Sequence, residues 1–110
     1  MKWNNIFGVR SQRIPVWAAM CTGCADGSNP KYLSDVKHPI LVMVRAPKPE
    51  AESAVYALLQ SNGWRKPEIR SLKMLDHPFH SDDPTMRACH EGAMNKEGGI
   101  VIYSDPLEDS

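Results

Sequence analysis

The segment from Pro39 to Asn62 constrains the fold more than any other part of the chain. Ile40-Leu41-Val42-Met43-Val44 is an unbroken apolar run of strand length, and Ala51 to Gln60 follows with a helical period. A buried strand feeding an amphipathic helix gives the chain a nucleus for its core. Pro49 suits the first turn of that helix, and Glu50 and Glu52 complement the positive end of its dipole. Ala51, Val55, Leu58 and Leu59 form its apolar stripe, and Asn62-Gly63 supplies a left-handed stop.

Around this nucleus the spacing predicts three more strands and one more helix. Ile14 to Thr22 reads as a first strand with Pro15 at its beginning, followed by a loop from Gly23 to Pro30 and a polar connection to His38. Glu68 to Leu75 reads as a third strand with imperfect alternation. Either Ile69 and Leu75 or Leu72 and Met74 face inward, which implies a bulge. After the loop His77 to Asp83, Asp83 is a good helix cap and Pro84 a good first position for a helix reaching about Glu97. Met86, Cys89, His90, Ala93 and Met94 make its stripe, and Gly98-Gly99 ends it before a last strand, Ile100 to Tyr103.

The order ββαβαβ predicts an α/β (α+β) two-layer sandwich of ferredoxin-like kind, with two helices on one face of a four-stranded sheet. The other face is expected to be open, or covered by a second subunit or by the arm Met1 to Arg13. That arm carries Trp3, Ile6 and Phe7 on one helical face. At 110 residues the chain is one domain, and 42% hydrophobic against 24% charged residues sets it apart from disordered sequences.

Charge is balanced overall but unevenly spread. Up to Lys48 seven bases face two acids, and from Pro49 onward eleven acids face six bases. Lys and Arg form no cluster interleaved with aromatics, so nucleic-acid binding is not expected. Three cysteines do not make a disulfide framework and fit a reducing, cytoplasmic setting. The start Met-Lys with Ile14 to Cys21 loosely matches a lipoprotein signal. Its apolar run is short and interrupted by Pro15, and Met20 stands where a small residue should precede the cysteine, so it reads as a strand. No stretch approaches the ~20 apolar residues of a membrane-spanning helix, and a soluble protein without membrane contact is expected.

Four residues could make a zinc site: Cys21 and Cys24 in a CxxC, His77 and His80 in an HxxH, two thiolates and two imidazoles being a stable tetrahedral set. The pairs are far apart in sequence, and nothing local forces them together. A redox CxxC needs a helix directly after its first cysteine, and Ala25-Asp26-Gly27-Ser28-Asn29-Pro30 cannot begin one. Cys89 and His90 point about 100° apart on a helix, which does not make a nucleophile–base pair. Asp76, Asp82 and Asp83 beside His77 and His80 have capping and solvation as their simplest roles.

The expected function is that of a small, non-catalytic, bacterial-style domain that binds another protein, as an immunity protein or regulatory subunit does, or forms a homodimer. The contact residues expected are Trp3, Ile6 and Phe7 in the arm and His77, Phe79, His80, Asp82 and Asp83 in the loop. No cofactor is expected, with zinc on Cys21, Cys24, His77 and His80 as the alternative. A small enzyme or ligand-binding protein with its pocket beside the 77–83 loop is the third reading.

Overall fold

The computed structural model of the chain describes residues 14–26 and 36–103. The Trp3/Ile6/Phe7 arm, residues 27–35 and the acidic tail lie outside them. The described residues form strands β1 (Val16–Ala25) and β2 (Lys37–Arg45), a 3₁₀ turn (Lys48–Glu50), helix α1 (Ala51–Ser61), strand β3 (Trp64–Met74), helix α2 (Pro84–Asn95) and strand β4 (Gly99–Ile102). The ββαβαβ order is the expected one. The sheet is antiparallel throughout, in the order β3-β1-β2-β4.

The two helices lie on opposite faces of this sheet. Ile40, Val42 and Val44 of β2 join Trp17, Ala19 and Cys21 of β1 in a core closed by Val55, Leu58 and Leu59 of α1. Leu41 and Met43, the alternate residues of β2, join Val16 in a second core closed by Cys89 and Ala93 of α2. The two-layer, ferredoxin-like expectation with both helices on one face is therefore corrected to a helix on each face. The physical reason lies in the β2 sequence, because a strand apolar at every position has two faces to bury. The expected open apolar face is corrected with it. What α2 leaves uncovered near β3 carries the exposed Glu68, Ser71 and Lys73 with Met20 opposite Ser71, while Thr22, opposite Glu68, is buried.

Helix α1 begins and ends where its sequence indicates. Its buried residues are Ala51, Val55, Leu58 and Leu59, and Gly63 takes φ 85° to turn the chain into β3. The third strand does contain an irregularity. Its register against β1 shifts between Met20 and Cys21, leaving Arg70 without an opposite residue, so that Ile69 and Leu72 both pack on the α1 side.

The first strand runs further than expected, to Ala25. Gly23 and Cys24, read as the start of a loop, pair with His38 and Lys37 of β2. Gly23 packs beside Trp64 and Ile40, where an added Cβ would stand 3.7 Å from Trp64 and 3.4 Å from Ile40, at ordinary contact distance. Trp64, 3% exposed, also meets the edge of His38 at 5.9 Å between ring centroids. His38, read as part of a polar connection, is a buried strand residue whose Nδ1 lies 3.1 Å from Tyr103 O. At the other end of the sheet, Trp17 Nε1 donates to Ala46 O at 2.8 Å and fixes the exit of β2.

Candidate binding cleft

The start of β1, the end of β3 and the exposed flank of α2 enclose a cleft of about 440 Å³. Backbone pairing brings the strand ends together, with Leu75 N–H donating to Val16 O at 2.9 Å. Ile14, Val16, Met74 and Met94 supply apolar lining, and Asp76, His77 and His90 bring polar groups to the wall. Ile14 is 49% exposed and Met74 56%, large apolar side chains that the fold leaves in water beside one cavity. The volume falls within the range of ordinary ligand and side-chain pockets.

Helix α2 splits its stripe between two tasks. Cys89 and Ala93 are buried against the sheet, while His90 and Met94, one turn apart, line the cleft. Asp83 holds the start of the helix, its Oδ1 accepting from Thr85 N–H at 2.9 Å, and Pro84 occupies the first turn as expected. Arg87 reaches back to Ser81 O at 3.0 Å, tying the loop to the helix.

The His90 ring stacks on Phe79, with centroids 4.4 Å apart and planes 12° from parallel. Lost hydration, and secondarily the nearby His77, lower the His90 pKa from its ordinary value. The folded state therefore holds neutral His90 in preference to imidazolium. Its contribution to stability is full above the ordinary histidine value of about 6.5 and diminishes as pH falls through that value toward the lower folded pKa. We expect acidification from about pH 7.5 to 5.5 to lower the melting temperature less in His90→Gln than in the wild type. Equal pH dependence in the two proteins would contradict this.

The residues singled out from sequence are placed as follows. His77 lines the cleft, whereas His80 lines a second hollow of about 290 Å³ that shares Met74, Leu75 and Asp76 with it. Phe79 packs between them, part-buried against the second core. Asp82 is exposed, Asp83 is a cap, and Trp3, Ile6 and Phe7 lie outside the described residues.

The CxxC and HxxH pairs do not meet. Cys21 packs in the α1-side core, and Cys24 pairs with Arg65 on the other face. The histidines follow Leu75, which bonds Val16, and Cys21 lies a further five residues along β1, roughly 16 Å away at strand spacing. Among the described residues no three His, Cys, Asp or Glu side chains are grouped to hold a metal ion. Burial pushes the Cys21 thiol up to about 11 and likewise that of Cys89, which keeps both protonated and unreactive near neutral pH.

Sequence reasoning missed Ile14, Met74 and Met94 as site residues. Met74, 56% exposed, owes its place to strand register, whereas Met94 is part-buried and stands one helical turn from His90. No helix among the described residues is long and apolar enough to cross a membrane. Comparison of the chain with protein-family models, curated proteins and solved structures gives no match.

Proposed function

We propose that the protein is a non-catalytic binding domain that holds a partner protein by seating an apolar side chain of that partner in the Ile14–Met74–Met94 cleft. The observation that carries this reading is the exposure of Ile14 and Met74 at the mouth of a formed cavity. Burying such side chains against a partner contributes roughly 25 cal/mol per Å². Methionine adds adaptability, since its unbranched thioether fits varied shapes. Asp76, His77 and His90 give the wall polar groups that orient an incoming chain.

Among the described lining residues there is no serine, threonine or cysteine. A small-molecule ligand in the same cleft is the rival reading, supported by the convergence of two imidazoles and a carboxylate on an apolar cavity.

A photo-crosslinking amino acid in place of Met74, tested in the native cells against the same group in place of exposed Glu52 on α1, separates the readings. Partner binding predicts a discrete protein adduct from position 74 that is absent from position 52. The ligand reading predicts no protein adduct at 74, together with a rise in melting temperature in low-molecular-weight extract. Equal adducts from both positions would refute the cleft as the contact site.

A further inference from the structure

The two edges of the sheet are built in opposite ways. The β3 edge carries the devices that discourage strand addition: Lys66 at φ 53°, Pro67, the irregularity at Arg70, and Lys73. The β4 edge, Gly-Ile-Val-Ile, has no proline, charge or bulge, and among the described residues no strand lies beyond it. Tyr103 N–H donates to Pro39 O. With the pairs Val101–Leu41 and Gly99–Met43, the antiparallel alternation turns the backbone groups of Ile100 and Ile102 outward.

We propose that this edge pairs with the same edge of a second copy of the chain, giving a two-fold homodimer with one continuous sheet. The edge is self-complementary in that register. Ile100 stands opposite Ile102 of the second copy, each exchanging both backbone bonds, and Val101 meets its own counterpart on the two-fold axis. The side chains match as well, because Ile100 and Ile102 share the α1 face and Val101 lies on the α2 face. Beside Ile100 is an open groove of about 470 Å³ whose floor is Leu58 and Gly98 and whose rim carries Asn62, Lys96 and Glu97. Ile102 of the second copy, as the cross-strand neighbour of Ile100, enters it. This surface lies apart from the cleft, and the proposal stands without the partner reading.

Sedimentation of the full chain is expected to show a concentration-dependent dimer, with dissociation at least about tenfold easier in Ile100→Lys, which places a charge at the joint. Val101→Cys is expected to form an intermolecular disulfide under mild oxidation about tenfold faster than Ser71→Cys on the opposite edge, since facing Cβ atoms at a non-hydrogen-bonded pair lie within bridging reach. The native cysteines are buried and compete little. A wild type that stays monomeric at about 500 μM would overturn the proposal, because association would then be weaker than a specific dimer needs. So would crosslinking of Ser71→Cys as fast as Val101→Cys.

Discussion

Replacing Gly99 with alanine is expected to be among the most damaging single changes in the protein. A Cβ at this position would stand 2.1 Å from Cys89 O and 2.7 and 2.8 Å from the carbonyl carbon and Cα of the same residue. All three are helix backbone and cannot swing aside as a side-chain tip does. To admit the methyl group, α2 must lift from the sheet, and Cys89 and Ala93 lose their places against Leu41 and Met43. The overpacking and the lost burial together cost about 3 kcal/mol, or roughly 10–20 °C in melting temperature for a domain of this size. Gly98→Ala is the informative comparison. Its nearest obstacle, at 2.6 Å, is Leu58 Cδ2, the end of a flexible side chain, although Met43 O stands at 3.0 Å. Thermal melts of both variants should therefore rank Gly99→Ala well below Gly98→Ala, and equal melts would mean that α2 does not pack so closely on the start of β4.

The second large effect is expected at Trp64. This indole begins β3, is 3% exposed, and belongs to the α1-side core with Trp17, Ile40 and Leu59. It packs beside Gly23 and meets His38 edge-on. Trp64→Ala removes a large buried surface and opens a cavity on the α1 face of the sheet, over Gly23 of β1 and His38 of β2. Denaturant unfolding should show a loss of about 3–5 kcal/mol, with Trp64→Phe losing clearly less. If Trp64→Ala unfolds within about 1 kcal/mol of the wild type, the indole is not a core residue.

These two sites also mark what the amino-acid sequence made legible. The β2–α1 unit was readable because local pattern and tertiary need agree there: strand run, acidic first turn, apolar stripe and left-handed Gly63 all serve one arrangement. The Asp83 cap was readable for the same reason. Gly98-Gly99 has the sequence signature of a helix stop, and Gly99 is the first residue of β4. Lys96, at the C-terminal boundary of α2, is extended, and the glycines serve instead the close approach of β4 to Cys89 and Leu58. That is a tertiary requirement with no local signature.

The opposite-face placement of the helices did have a signal. Five consecutive apolar residues in β2 indicate burial on both faces, a signal that outweighs the smallness of the sheet. Gly23 and Cys24 were hidden inside a dense set of turn formers, and only pairing from both sides makes them strand. The cleft was the least legible feature. It depends on Val16 meeting Leu75, a register that brings Ile14, Met74 and His90 together from three separate parts of the chain. Of the loop residues, His77 lines the cleft while Phe79 and His80 line the neighbouring hollow, a division that the sequence pattern does not carry.

The methionines provide the most direct test of the cleft as the binding site. Met74 and Met94 line it, Met43 and Met86 pack in the second core, and Met20 is exposed on the uncovered part of the sheet. With the methionine methyl groups labelled with carbon-13, one spectrum distinguishes these places in solution. When the partner captured from position 74 is added, the Met74 and Met94 resonances are expected to shift or broaden while Met20 stays unchanged. Perturbation of Met20 with Met74 and Met94 unmoved would place the contact on the open sheet surface and contradict the cleft.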